Sequence, residues 1–390
     1  MKITTNRNDL LAALNQVIGV VERRQTLPIL SNLLAEVHEA ELKLTGTDLE
    51  IEMETSIDVQ NLEPGKTTLP ARKLFDLCRG LPESAAIELD VNGDRATLRS
   101  GRSRYTLACL SADDFSSLDT GELSQQIELP ASELLKLIQR TQFAMAQQDV
   151  RFYLNGMLLQ LRPGTLNVVT TDGHRLALAR YEMPDEPSSD QSADLIIPRK
   201  AILELARLLG QVDGNVVLHF SQGQIRVQVD RLRLTSKLID GRFPEYERVI
   251  PQHSDKHLVL DRERLRQALA RCSIFSNDKF KGVRLTLGNG TLTLQSTRNR
   301  LQCRLPARCT HHHARPEHHV VIAQCRFKWT DDHKRRADTA LRRNADAVVR
   351  DWAFVNFAWW GSGRWRHRHW RSRPGSTSSS ATMPAAKPAC

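Results

Sequence analysis

Asp172, His174 and Arg175 stand within four residues of one another in Thr171-Asp-Gly-His-Arg-Leu176. Carboxylate and imidazole groups so placed are the types that exchange protons. A reaction centre also needs a nucleophile or a glycine loop that cradles phosphate, and neither accompanies this motif. It therefore does not read as catalytic. A second cluster, Cys303, Cys309, His311, His312, His313, His318, His319 and Cys325, offers thiolate and imidazole donors. Its spacing matches no paired Cys-x2-Cys with His-x3-His arrangement, so no metal and no other cofactor is expected. The third chemistry is cationic. Lys136 and Arg140 are four apart and share a helix face. Arg72, Lys73 and Arg79 are echoed by Arg199, Lys200 and Arg207, and Arg264 and Arg271 are a heptad apart. One such face is ordinarily just solvated. Its recurrence points to a polyanion whose phosphates are met without reading sequence.

The cations recur because the chain repeats. Leu69-Pro-Ala-Arg-Lys-Leu-Phe-Asp-Leu-Cys-Arg-Gly-Leu81 returns as Ile197-Pro-Arg-Lys-Ala-Ile-Leu-Glu-Leu-Ala-Arg-Leu-Leu209. That period is too long for a solenoid and fits a whole small domain. Thr47-Asp48 keeps phase with Thr171-Asp172, Arg102-Ser-Arg-Tyr-Thr-Leu107 with Arg231-Leu-Arg-Leu-Thr-Ser236, and Phe115 with Phe243. Each unit opens on an apolar helical rhythm, at Asn8–Leu14, Ser132–Ile138 and Glu263–Leu269. Alternating runs such as Leu33–Val37 and Met157–Leu161 predict strands after that helix. Pro70 and Pro198 mark a second helix entrance, where a missing N–H costs nothing. The expected fold class is α+β, a tandem repeat whose units each lay two helices on antiparallel sheet.

A third unit starts near His257, and its strand, turn and strand end at Thr297. Beyond that point the composition changes: all six tryptophans, eight of thirteen histidines and four of seven cysteines lie there. Residues 298–390 also hold 19 basic and 6 acidic residues, leaving 36 and 39 before them. The net charge of +10 thus belongs to the tail, and the body is near −3. Bulk basicity consequently says nothing about what the body binds. The expected boundaries are 1–125, 126–252 and 253–297, the last unit incomplete, with a basic and unstructured tail at 298–390. Widely spaced single cysteines, no signal-like start and no apolar run of 18 residues predict a cytoplasmic protein outside any membrane.

A family resemblance rests on Thr26-Leu-Pro-Ile-Leu30, Leu44-Thr-Gly-Thr-Asp-Leu-Glu50, Pro70-Ala-Arg-Lys73, Arg79-Gly-Leu-Pro82, Ser100-Gly-Arg-Ser103, Gln148-Asp-Val-Arg-Phe-Tyr-Leu-Asn-Gly156, Thr171-Asp-Gly-His-Arg-Leu176, Asp240-Gly-Arg-Phe-Pro244 and Lys279-Phe-Lys-Gly-Val-Arg284. In order, from residue 1 to about 297, these resemble the bacterial sliding clamp, the beta subunit of DNA polymerase III. The resemblance implies a non-catalytic ring of DNA-clamp domains. Two subunits join head to tail, helices line a hole for duplex DNA, and the ring tethers the replicative polymerase for processive synthesis. It further implies DNA contacts at Arg24, Arg72, Gln148, Phe152 and Tyr153, with Phe152 in place of the more usual tyrosine. Its peptide groove would be lined by Leu154, Thr171, Gly173, His174, Arg175, Leu176, Pro244, Arg248, Val249 and Phe280. That groove serves the polymerase III alpha subunit, the clamp loader and other proteins with clamp-binding motifs. Tyr105 and Leu107 would meet Ile274 and Phe275 of the second subunit in a homodimer, and the incomplete third unit predicts a defect in that ring closure for this chain.

Other readings concern the tail. Its Arg and Trp content, densest in Gly361–Arg373, suits an arm that stacks on bases, and the alternative function is a monomeric nucleic-acid-binding protein using that arm. The abrupt break also fits a shift of reading frame near codon 297, since a GC-rich gene read out of frame yields excess Arg, Ala, Pro, Trp and His. Translation of the other two frames is then expected to recover the rest of a third unit. The nucleotide sequence decides it, and two frames without a clamp-like continuation overturn the idea.

Overall fold

The computed structural model describes residues 1–22, 27–118, 121, 123–183, 192–250, 257–259, 261–274, 282–288, 291–296, 302–306, 308–310 and 318–323. Two compact units divide the chain, one running from Met1 to Ser254 and the next beginning at Asp255. Among the described residues no helix is long and apolar enough to cross a membrane.

The first unit holds two copies of one plan. In the first copy β1 (Lys2–Asn6) leads into α1 (Arg7–Val17), then β2 (Asn32–His38), β3 (Glu41–Thr47), β4 (Ile51–Asp58), β5 (Gln60–Glu63) and β6 (Gly65–Pro70). A second helix, α2 (Ala71–Gly80), precedes β7 (Ala86–Asn92), β8 (Arg95–Ser100) and β9 (Ser103–Ala108). The second copy runs β10 (Gln125–Pro130), α3 (Ala131–Thr141), β11 (Gly156–Arg162), β12 (Thr165–Thr171), β13 (Leu176–Glu182), β14 (Ala193–Pro198), α4 (Arg199–Leu209), β15 (Asn215–Phe220), β16 (Gln224–Val229) and β17 (Leu232–Lys237). All the strand pairs are antiparallel, in the orders β4-β3-β2-β6 and β13-β12-β11-β14 for one sheet of each copy. The other sheets run β5-β1-β7-β8-β9 and β10-β15-β16-β17. β17 also pairs with β4, which fuses two of these into one eight-stranded sheet.

Local chemistry sets the helix ends. Asn6 Oδ1 accepts from Asn8 N at 2.8 Å at the start of α1. Pro70, Pro130 and Pro198 each close a strand immediately before a helix, so the proline sites expected from sequence fall one residue ahead of the first turn. The helices bury one stripe each: Leu10, Ala13, Leu14 and Val17 on α1, Leu134, Leu137 and Ile138 on α3, and Ile202, Leu205, Leu208 and Leu209 on α4. Burying one such leucine fully contributes roughly 1.5–3 kcal/mol. Cys78 belongs to the same core, and burial pushes its thiol up to about 12.

The second unit repeats the opening of the plan. It contains β18 (His257–Val259), α5 (Arg262–Ile274), β19 (Gly282–Gly288), β20 (Thr291–Ser296), β21 (Gln302–Pro306), β22 (Arg308–Thr310) and β23 (His318–Ala323). The order β21-β20-β19-β23 matches β13-β12-β11-β14, and β18 pairs with β22 as β1 does with β5. Ala268, Cys272, Val283, Leu292 and Leu294 form its small core. The strand pattern thus continues past Thr297 to Ala323, further than composition suggested. Val320, Val321 and Ile322 form a β-branched run whose strand character is masked in composition by the neighbouring His and Arg residues. The rest of the expected tail, from residue 324, lies outside the described residues.

Gly156 opens β11 where two backbones meet. A Cβ there would lie 2.7 Å from the Ile197 carbonyl oxygen and 2.8 Å from the Ile196 side chain. Gly156→Ala is expected to destabilise the first unit by about 1–3 kcal/mol, seen as a lower urea midpoint at unchanged slope.

Candidate functional site

The Thr171–Leu176 segment forms a tight turn between β12 and β13. Thr171 Oγ1 donates to the Arg175 carbonyl at 2.8 Å and accepts from Gly173 N at 3.1 Å. Asp172 Oδ1 accepts from His174 N and Arg175 N, both at 2.9 Å, and Oδ2 accepts from Arg175 Nε at 3.0 Å. Gly173 sits at φ +82, a conformation that glycine adopts without strain. Asp172 is thus occupied by its own turn. The first copy builds the same turn: Thr47 Oγ1 donates to Ile51 O, and Asp48 Oδ1 accepts from Glu50 N and Ile51 N.

Beside this turn lies the loop that carries Gln148, Phe152 and Tyr153. Asn155 ties it from within, donating to the Asp149 carbonyl and accepting from Asp149 N, both at 2.9 Å. Arg151 then grips Asp149 through Nε at 2.9 Å and Nη2 at 2.8 Å, and reaches the Asp172 carbonyl at 3.2 Å. Gln148 is exposed at φ +55, Phe152 is exposed, and its ring meets that of Tyr153 edge-on at 5.8 Å. The sequence reading missed Arg151. Its signal was the Asp149-x-Arg151 spacing, which lets a guanidinium close back onto a carboxylate.

The outer face of β11–β13 carries an apolar cluster of Leu158, Val169, Leu176, Ile196, Phe243 and Tyr246. Leu154, Thr171 and Leu176 are buried, whereas Gly173, His174, Pro244, Arg248 and Val249 are exposed. Arg248 Nε is paired with Glu245 at 2.6 Å. Along the same face a cleft of about 520 Å³ is lined by Gln160, Arg162, Asn167, Leu178, Arg180 and Tyr246, among others. Tyr246 donates to Gln160 Oε1 at 2.6 Å there, and burial raises its pKa. Arg24 and Phe280 lie outside the described residues.

Several of the recurring cations have partners within the molecule. Arg72 Nη2 donates to Val21 O at 2.8 Å, and Arg199 Nη1 to Met145 O at 3.2 Å. Arg207 donates to Asn15 O at 2.9 Å and Gln16 O at 2.8 Å, meeting the free carbonyls at the end of α1. Lys200 reaches Val20 O, Glu22 and Asp48. Burial works against its charge, but these bonds outweigh it and hold the ammonium above its ordinary value. Lys73 is exposed, as is Arg79, which pairs with Asp76 at 3.1 Å. Lys136 pairs with Glu133 at 2.6 Å.

Comparison with known proteins matches all three domains of the DNA polymerase III beta subunit: N-terminal at residues 1–119, central at 128–245 and C-terminal at 247–302. The beta sliding clamp of Pseudomonas aeruginosa is 49% identical over 297 residues, covering 76% of this chain and 80% of that protein. This chain belongs to the DNA polymerase III beta subunit family. The beta sliding clamp of Escherichia coli is 48% identical over 295 residues, covering 75% of this chain and 80% of its own. Among solved structures, the Pseudomonas aeruginosa beta subunit superposes with a TM-score of 0.78 at 45% identity, over 82% of this chain and 87% of that one. The Caulobacter crescentus beta subunit gives 0.75 at 34% identity, over 82% and 87%.

The dimer residues suggested by the beta-subunit resemblance fall in both units. Tyr105 and Leu107 lie on β9, an edge strand, Tyr105 partly exposed and Leu107 buried. Ile274 ends α5 and is 75% exposed, and Phe275 lies outside the described residues. Among the described residues no group of three or more His, Cys, Asp or Glu is placed to hold a metal ion.

Arg151 holds the Asp149 carboxyl down at about 2, first by its side-chain hydrogen bonds. An unfolded aspartate titrates near ~3.9. The loop's stabilisation by this pair is therefore complete above that ordinary value and is lost as pH falls through about 2. Carboxyl NMR titration is expected to place Asp149 near the depressed value, and Arg151→Ala to return it to the ordinary range.

Proposed function

We propose that this chain is a sliding clamp that encircles duplex DNA and tethers the replicative polymerase for processive synthesis, with no catalysis of its own. Family membership across all three domains carries the reading. The repeated α+β plan supports it, because recurring helices present cations at regular intervals, and phosphate contacts of that kind hold a duplex without fixing a position. The body's slight negative charge disfavours DNA elsewhere on its surface.

Within that reading Arg24, Arg72, Gln148, Phe152 and Tyr153 face the duplex. Phe152 contributes a ring face alone, and Gln148 an amide at the tip of a loop that Asp149, Arg151 and Asn155 stiffen. The peptide groove uses Leu154, Thr171 and Leu176 as floor and Gly173, His174, Arg175, Pro244, Arg248 and Val249 around it, with Phe280 completing the set. A mostly apolar trough with a few polar groups suits short linear motifs of the polymerase alpha subunit, the clamp loader and repair proteins. Tyr105 and Leu107 would join Ile274 and Phe275 of a second copy to close the ring, in the cytoplasm where the DNA is.

The charge split favours one other reading, a monomeric binder that acts through residues 298–390. Topology separates the two. Loaded by a clamp loader at moderate salt, the chain is expected to stay on circular DNA and to leave once the circle is linearised. Equal retention on both forms, with steep loss as salt rises, overturns the clamp reading in favour of the tail.

A further inference from the structure

Arg72 and Lys200 are each the second residue of their helix, α2 and α4, and both reach the same short segment of the first copy. Arg72 Nη2 donates to Val21 O at 2.8 Å. Lys200 Nζ, which comes from the second copy, donates to Val20 O at 3.2 Å, to Glu22 Oε1 at 2.7 Å and to Asp48 Oδ2. The carbonyl that holds Arg72 therefore lies between two groups that Lys200 holds. Asp48 is a fixed anchor, because its other oxygen accepts from Glu50 N and Ile51 N in the turn after β3. The same face of α4 extends the grip, since positions 200, 204 and 207 lie three and four apart. Arg207 donates to Asn15 O and Gln16 O, and a Cβ at Gly19 would come within 2.0 Å of the Glu204 carboxylate. An ammonium has three donors, and its three acceptors here use all of them.

We infer that Lys200 is a positioning residue for Arg72: by holding Val20 and Glu22 it sets the Val21 carbonyl, and that carbonyl orders the guanidinium before DNA arrives. The inference rests on the reading of Arg72 as a DNA contact. Its physical content is preorganisation. Planar peptides set consecutive Cα atoms ~3.8 Å apart, so releasing the groups on either side of Val21 releases its carbonyl as well. A long cation left free has to be ordered when it binds, and for one side chain that corresponds to roughly two- to tenfold in affinity. Lys200 itself, with its donors taken up inside the molecule, touches no phosphate. The second copy thus contributes to a DNA contact of the first through the backbone of the segment between them.

The test follows binding of full-length chains to a fluorescein-labelled primed duplex by anisotropy, over a series of salt concentrations. Lys200→Met is expected to weaken binding roughly two- to tenfold while keeping the slope of log K against log salt. Arg72→Met is expected to weaken binding by itself and to remove most of the further effect of Lys200→Met. Glu22→Ala gives a readout of opposite sign for the two physical causes. Loss of an anion strengthens the attraction to DNA through the field, whereas loss of position weakens the complex, and a weaker complex is expected. Glu22 is half-exposed, so this variant carries the test even where Lys200→Met fails to fold. Parent-like binding by Arg72→Met removes Arg72 from the DNA contacts, and the inference falls with that reading. Three results overturn the inference alone: a full Lys200→Met effect on top of Arg72→Met, a salt slope flattened by one whole phosphate contact, ~0.9, or tighter binding by Glu22→Ala.

Discussion

Every sheet edge leaves backbone donors and acceptors that must be met, and the β4–β17 pairing meets them for two repeats at once. Its neighbourhood is built around that join. Glu52, buried in β4, accepts from Leu118 N at 2.9 Å, and burial raises its pKa while that N–H pulls it back. Glu54 collects Lys43 and Arg233. Because the pairing is antiparallel and in register, the two copies share one continuous sheet, and Lys200 and Arg207 of the second can reach α1 and the segment after it. The sheet join and the cation bridges therefore stand or fall together. Removing a strand partner would strand carbonyls and cations alike.

The Thr-Asp turn shows how duplication allows one local fold to serve two ends. In both copies the threonine hydroxyl and the aspartate carboxylate cap the turn's own backbone. What differs is the remaining capacity. Asp48 Oδ2 takes Lys200 from the neighbouring copy, so that turn becomes part of a junction. Asp172 Oδ2 takes Arg175 of the same turn, and its carbonyl takes Arg151, so this one is fastened locally. Arg175 also lies over the Phe143 ring at 5.7 Å, which adds a cation–π contact to the same brace. A turn built in this way is positioned by bonds between its own side chains and backbone.

The repeat and the α+β class were readable in the sequence because they rest on short-range signals: apolar period, proline placement, and Thr-Asp at matching phase. The β4–β17 pairing was not, since it depends on two edges far apart in the chain that carry no distinctive pattern. Arg72, Arg199 and Arg207 read as cations on a helix face, and they are; their carbonyl partners come from segments that only the fold brings near. Val320, Val321 and Ile322 were hidden by composition, because a window rich in His and Arg outweighs a short β-branched run. Arg24, Phe275 and Phe280 fall outside the described residues, so their placement adds nothing to that comparison.

The carbonyl contacts of the helix cations also bear on how a surface can hold DNA and still slide. A guanidinium has five N–H donors, and the bond from one Arg72 Nη to Val21 O uses one of them. The bond fixes the side chain first. Ordering a long, rotamer-rich cation costs about 1.5–2 kcal/mol, and a cation already ordered by the fold does not incur that again on binding. Lys73, by contrast, is exposed. Cations so held would give a DNA-facing wall a set geometry. Since every phosphate is alike, a wall of that kind has no preferred register along the duplex.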